Sequence, residues 1–334
     1  MATTEELQQK VFQTIKSKIP AHLSAADEIA GILEISADSA YRRLRGEKTI
    51  SLDELYKLCI HYRISLDQML NIQTGAILFN GLYVNENSPR FDEYLKGQLN
   101  TFAYFNSFKH TELYWLCKDI PLPDHFPLRE IAAFKYFFFM KTILHLDEFR
   151  NRKFRLQEYP DEMFELGRKG LQLYQKLSII EFWNIEAINS TIRQIEFYRD
   201  SDIFESDKEV YIVYEALEKL LTYLEKQADL GYQFQIDDKE MKPLGSFQMY
   251  YNEVVLGDNS GLVIMDGQKL VLENHSAFNY KKTQDEAFCE HINQHIRNLM
   301  KKSTLLSSAN EKERSRFFKS LRDKIANRKK ALKV

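Results

Sequence analysis

The sequence predicts a mainly α-helical fold that opens with a bundle of five short helices and carries a small antiparallel β element near the C-terminus. Three patterns carry that expectation. Apolar residues recur at three- and four-residue intervals through most of the chain, and capping residues stand just before several of those runs. Late in the chain an Asp266-Gly267 pair separates two short runs rich in Val, Leu and Ile, which is a hairpin signal.

The first 70 residues are closely punctuated. Thr4 is placed to cap a helix bearing Leu7, Val11, Phe12, Ile15 and Ile19, which Pro20 ends. Ser24 caps a second helix in which Ile29, Ala30 and Leu33 share a face. Ser36 caps a third, stopped by Gly46, and Ser51 opens a fourth with Leu52, Leu55, Leu58 and Cys59 inward. A short fifth begins at Ser65-Leu66-Asp67. Helices of this length do not hold alone, so they must pack together.

The pattern loosens over 73–90, where Asn80-Gly81 and residues 85–89 are turn-forming. The chain therefore divides into a first domain at 1–72, a linker at 73–90, a mostly helical region at 91–242, and an α+β segment at 243–334 that ends in a basic helix. In the third region 112–120 reads as a strand and 128–146 as a buried helix. Residues 161–199, broken near Ser178, and 208–231 read as a helical hairpin. In the last region 247–256, 262–265 and 269–272 read as strands and 284–302 as a helix. Asn310 with Glu313 suggests a capping box for a final helix to about Leu332.

Composition narrows the function. The 334 residues are 44% apolar, which excludes a mainly disordered chain, and 46 Lys+Arg against 48 Asp+Glu give a net charge of -2. That balance hides an asymmetry, because residues 297–334 carry a net +10 and the rest of the chain -12. Cys59, Cys117 and Cys289 are far apart and odd in number, as reduced thiols in the cytoplasm would be. The N-terminus has no apolar signal core, and the most apolar stretch, 131–146, is interrupted by Lys135, Lys141 and His145 and too short to cross a membrane. The glycine-rich phosphate loops, HExxH and GxSxG of common enzyme families are missing, so no catalytic residue is nominated and a non-enzyme is expected.

The spacing around Ser36 is the most informative local feature. Ile29-Ala30-x-x-Leu33-x-Ile35-Ser36, followed by Arg42-Arg43-Leu44-Arg45-Gly46, places a small residue where two helices cross and apolar residues in the crossing. Over about residues 20–70 this resembles the Cro/repressor-type (XRE-family) helix-turn-helix group. The ending Ser39-Ala40-Tyr41-Arg42-Arg43-Leu44-Arg45-Gly46 is similar to regulators common in Bacteroidota. The resemblance implies a lambda-repressor-like DNA-binding bundle joined to a large C-terminal helical/β regulatory region. It implies that Ala37, Asp38, Ser39 and Arg42 face base edges with Tyr41 flanking, Arg42 being suited to guanine O6 and N7. Ser24, Arg43, Arg45 and Lys48 would then contact phosphates. Two positions depart from the pattern: Ala26 stands where the group usually has Gln, and Arg43 where many members are apolar.

Other features have plainer readings beside them. Cys289-x-His291-x3-His295 puts two histidines on one helical face, but with no second ligand cluster matching, although His275 and Asp285 are nearby, exposed helix histidines are expected and no metal or other cofactor. The Phe134, Tyr136 to Met140 run could line a ligand pocket, while such all-round apolar helices are more often core. The basic tail pairs Phe317, Phe318, Leu321 and Ile325 with Arg314, Lys319, Arg322 and Arg328, as a helix docked on the preceding domain or as an auxiliary DNA contact. The expectation is a cytoplasmic, homodimeric transcription regulator that binds double-stranded DNA and senses a small-molecule or protein effector, with no membrane partner. The alternative is a scaffold whose helical middle binds a partner protein.

Overall fold

The computed structural model describes residues 3–20, 23–62, 64–70, 77–81, 91–254, 257, 259–274, 280–330 and 332. It falls into two compact units, Met1–Leu78 and Phe79–Val334.

The first unit holds five helices among its described residues: α1 (Thr4–Lys16), α2 (Ala25–Leu33), α3 (Ala37–Leu44), α4 (Leu52–Tyr62) and α5 (Leu66–Leu70). Thr3, not Thr4, caps α1, and Glu6 returns the bond to the Thr3 backbone to complete a capping box. Ser24 and Ser36 cap α2 and α3 as the sequence indicated. Val11, Phe12, Ile15, Ile29, Leu33, Ala40 and Leu58 form the core.

Two expected inward positions are reversed. Leu7 lies on the surface and Gln8 takes the interior, where its Nε2 donates to the carbonyls of Arg43 and Lys48 (both 2.8 Å) and its Oε1 accepts from the Ile50 amide. A buried amide that satisfies three backbone groups, one at the end of α3 and two in the loop after it, outweighs the apolar alternative one residue away. Leu52 is 79% exposed and begins a surface stripe with Tyr56 and Ile60, each four residues on.

The second unit corrects the expected fold class. An eight-stranded mixed sheet runs through the middle and C-terminal parts of the chain, in place of a small antiparallel element near the end. Its strands are β1 (Asn80–Gly81), β2 (Thr111–Cys117), β3 (Ser178–Trp183), β4 (Phe247–Tyr251), β5 (Ser260–Met265), β6 (Gln268–Asn274), β7 (Tyr280–Thr283) and β8 (Thr304–Leu305). They lie in the order β1-β7-β6-β5-β2-β3-β4-β8, with β2, β3 and β4 parallel and the other neighbouring pairs antiparallel. Because strands from both sides of residue 243 alternate in one sheet, the regions 91–242 and 243–334 are one unit. Asn80-Gly81, expected as a turn, is a short edge strand; residues 82–90 of the expected linker, with the turn at 85–89, lie outside the described residues.

Helices α6 (Phe91–Phe105), α7 (Arg129–Phe138), α8 (Asp161–Tyr174), α9 (Asn189–Asp200), α10 (Asp207–Leu230), α11 (Glu286–Lys301) and α12 (Glu311–Lys329) surround the sheet. Leu113, Trp115, Cys117, Ile179 and Trp183 of β2 and β3 join the main core with side chains of α7, α10 and α12, while Leu116, Ile180 and Phe182 point the other way into a second core with Cys289 and Ile296 of α11. Both faces are covered. That explains why Ser178–Trp183, expected as a break in a helix, is a central strand: a strand buried on both sides carries apolar residues at neighbouring positions rather than in alternation, here interrupted only by the buried Glu181. The expected helical hairpin is therefore replaced by helix, strand, helix and helix.

The Asp266-Gly267 hairpin forms as read, with both residues at positive φ (46° and 90°), as a tight two-residue turn requires. Asn310 precedes α12, but its side chain donates to the Leu305 carbonyl (2.6 Å) and makes no capping bond.

Candidate functional site

Two places in the molecule carry chemistry, one in each unit. In the first, α2 ends at Glu34, whose left-handed backbone (φ 56°) reverses the chain so that Ser36 starts α3 three residues after Leu33. Ser36 Oγ accepts from the Ser39 amide (3.3 Å) and donates to Ser39 Oγ (3.1 Å). Ala40 and Arg43 turn inward, which leaves Ala37, Asp38, Tyr41 and Arg42 on the exposed face of α3, with Ser39 half-buried beside them.

Arg43 does not belong to that surface. Expected as a phosphate contact, it is 5% exposed, and its Nε and Nη2 donate to both carboxylate oxygens of Glu54 (3.0 and 2.6 Å) while Nη1 donates to the Ser39 carbonyl. These bonds hold the Glu54 carboxyl below its ordinary pKa. Arg43 thus ties α3 to α4 from within, which accounts for an arginine at a position where apolar residues are common in the group it resembles. Glu54 itself stands three residues after Ser51 and exchanges bonds with it as a capping box, a pairing legible in Ser51-x-x-Glu54 but not singled out.

The remaining cations are exposed and loosely held. Arg45 lies over the Tyr41 ring (4.6 Å to its centre), donates to Tyr41 Oη (3.2 Å) and pairs with Glu47 (3.3 Å). Glu47 also sits 3.9 Å from Arg42. Lys48 and Ser24 are exposed as well. Exposed pairs of this kind contribute about 0–1 kcal/mol, so a phosphate can displace Glu47 from either arginine at little cost.

In the second unit a cavity of about 690 Å³ opens between α6, the loop before α7, and strands β2, β6 and β7. Phe102, Phe105, Leu113, Trp115 and Leu270 supply apolar wall, and Tyr94, Gln98, Thr101 and Tyr280 supply neutral polar atoms. Burial raises the pKa of the Tyr94 and Tyr280 phenols, Tyr280 to about 12, so both stay protonated. Glu93 and Lys282, the charged lining residues, are exposed. None of the Phe134 to Met140 side chains lines this cavity; that run is core.

Tyr174 links the cavity to a buried acid. It lines the wall and donates from Oη to Glu181 Oε1 (2.8 Å), whose Oε2 accepts from Trp183 Nε1 (2.7 Å). Burial pushes the Glu181 carboxyl up to about 7 against the pull of those two bonds, and Asp124 nearby is raised by burial and by Glu181.

Other sequence candidates are dispersed. His291 and His295 are exposed on α11 while Cys289 is buried, and no group of three potential metal ligands forms among the described residues; His275 lies outside them. No helix among the described residues is long and apolar enough to cross a membrane. The basic α12 docks on α10: Phe317, Phe318, Leu321 and Ile325 are buried, Arg314 pairs with Asp229 (2.5 Å), Arg322 with Glu225 (2.6 Å), and Lys329 with Glu215 and Glu218. Comparison with protein-family models, with curated proteins and with solved structures finds no match to this chain.

Proposed function

We propose that the protein is a sequence-specific DNA-binding transcription regulator, in which α3 enters the major groove and the second unit senses a signal. The observation that supports this best is the α2-turn-α3 geometry, with a small residue at the crossing and Ala37, Asp38, Tyr41 and Arg42 exposed along one face. Arg42 offers two donors to guanine O6 and N7, and Asp38 offers an acceptor to cytosine N4. Arg45, Lys48 and the Ser24 end of α2 are placed at the margins of that face, where phosphate contacts fix register without reading sequence.

One such helix gives modest, salt-sensitive affinity, so useful specificity calls for two copies on half-sites about one helical turn apart. The Leu52, Tyr56 and Ile60 stripe is a surface a second copy can cover. Asp53 and Lys57 flank it as an intrahelical pair (3.3 Å), and two antiparallel copies of α4 can exchange those charges across a two-fold axis.

Footprinting of purified full-length protein on fragments of its own genome is the direct test. A protected sequence that recurs between fragments supports the reading, and Arg42→Ala should cost about 1–3 kcal/mol at one base step. Uniform, sequence-indifferent binding would overturn it. Sedimentation of Tyr56→Glu should show weakened self-association; an unchanged dimer removes α4 from the interface. The alternative, a scaffold whose helical middle binds a partner protein, would instead give a partner that survives nuclease treatment in a pull-down with no footprint.

A further inference from the structure

The cavity beside α6 is selective in its chemistry. We propose that it binds a neutral, largely apolar aromatic molecule of drug-like size, and that this molecule is the signal read by the second unit. The inference rests on taking that unit as the sensing part of a regulator.

Size comes first. A cavity of about 690 Å³ falls within the range, on the order of 300–1,000 Å³, that encloses such ligands.

Gly97 is the second, independent observation. It sits inside α6, faces the cavity, and a Cβ placed there would meet no neighbouring atom within 4 Å. Glycine weakens a helix interior, and here no close approach or positive φ requires it. Among the described residues, the missing side chain leaves that space to the cavity.

The lining sets the ligand's character. Ring faces and edges surround the space: Trp115 and Tyr280 lie 5.8 Å apart at 48°, and Phe102 meets Tyr174 edge-on at 5.3 Å. Flat rings seat against such walls in offset or edge-to-face contact. The polar groups of the wall, Tyr94, Gln98, Thr101 and Tyr280, are half-buried and neutral, and suit carbonyl or hydroxyl groups. The charged lining residues, Glu93 and Lys282, are exposed, so a charged body held against the neutral, less exposed groups would give up hydration that they replace only in part. An anion would also approach the buried acid Glu181 that lies behind Tyr174.

The experiment uses two dyes with the same aromatic body. Full-length protein is titrated with N-phenyl-1-naphthylamine, which is neutral and brightens on leaving water, and with its anionic relative 1-anilinonaphthalene-8-sulfonate. The neutral dye should bind saturably with a dissociation constant of about 10 µM or tighter, and the sulfonate at least about tenfold more weakly. Gly97→Leu projects a side chain into the space and restores helix propensity, so it should raise or preserve the melting temperature while weakening the neutral dye at least about tenfold. Should that variant fail to melt cooperatively, Thr101→Leu, one turn along α6, makes the same test. No saturable binding, equal binding of both dyes, or unchanged affinity in a folded variant overturns the proposal. The two readings fail separately. Loss of dye binding with an intact footprint rejects the ligand alone, whereas dye binding without any footprint rejects the DNA-binding regulator and leaves the cavity's ligand class standing.

Discussion

The helices α3 and α12 both carry basic side chains, two arginines on α3 and many arginines and lysines on α12, and they use that charge in opposite ways. On α12 the cations that lean toward α10 are consumed by Asp229, Glu225, Glu215 and Glu218. On α3 only Arg43 is consumed in this way, and Arg42 and its neighbour Arg45 remain at the surface with Glu47 as a weak companion. A count of charge along the chain therefore does not show which cations are available. What distinguishes the two helices is whether the charge has a partner on the neighbouring helix.

The largest test of this contrast is removal of a consumed cation. Arg314→Ala leaves Asp229 to Lys226 alone, takes a donor from the Leu306 carbonyl and empties a buried site, and should lower the stability of the second unit by about 2–4 kcal/mol in urea unfolding. Arg43→Ala should destabilise the first unit by a comparable amount, with DNA binding lost only as the fold is lost. A loss below about 1 kcal/mol in both would mean that these pairs behave like ordinary surface pairs, and the contrast would collapse.

Next in size is the free cation. Arg42→Ala should weaken specific DNA binding by about 1–3 kcal/mol in a gel shift and leave urea midpoints in place. The matching change on α12, Arg316→Ala with Lys319→Ala, removes exposed cations and should leave affinity within about twofold and the salt slope unaltered. A reduced salt slope in that variant would return α12 to the DNA interface.

A buried acid gives a test by pH. Burial raises the Glu181 carboxyl from its ordinary 4.5 to about 7, so between those values the folded chain keeps a proton that the unfolded chain releases. Its contribution is complete below pH 4.5 and is lost as pH rises through 7. Glu181→Gln should flatten that fall in stability, and an identical pH profile in both proteins would contradict the assignment.

The smallest effect concerns the turn that sets α3. Glu34 holds a left-handed conformation that glycine adopts freely, so Glu34→Gly should stabilise the first unit by about 1 kcal/mol or less without moving DNA affinity. A loss of stability would show that the side chain has a role in the turn.

How much of this was legible in the sequence differs between the units. The first unit was readable because its helices are short, capped by Ser24 and Ser36, and held by contacts close in sequence. The exceptions were polar residues in apolar roles: Gln8 and Arg43 are interior because each satisfies several groups at once, which periodicity cannot express. In the second unit the hairpin at Asp266-Gly267 announced itself through a local turn, whereas β3 did not. Its partners, β2 and β4, lie some 65 positions away along the chain in either direction, and its own residues alternate between two cores. The cavity was equally hidden, since Gly97, Trp115 and Tyr280 come from a helix and two strands far apart in sequence. The Phe134 to Met140 run drew attention by density of aromatics, but density marks core; a lone glycine in an amphipathic helix was the available sign.

The docking of α12 also sets an order of events during synthesis. The first unit is made of neighbouring helices and emerges early, so it can collapse while the rest of the chain is still being made. The second cannot close until Phe317, Phe318 and Ile325 reach the core they share with α10 and the sheet, because those side chains come from its last helix. On a translating ribosome, then, the first unit can be complete while the second is still an open intermediate. Any synthesis that stops short of α12 would leave a finished helical bundle attached to an unfinished body.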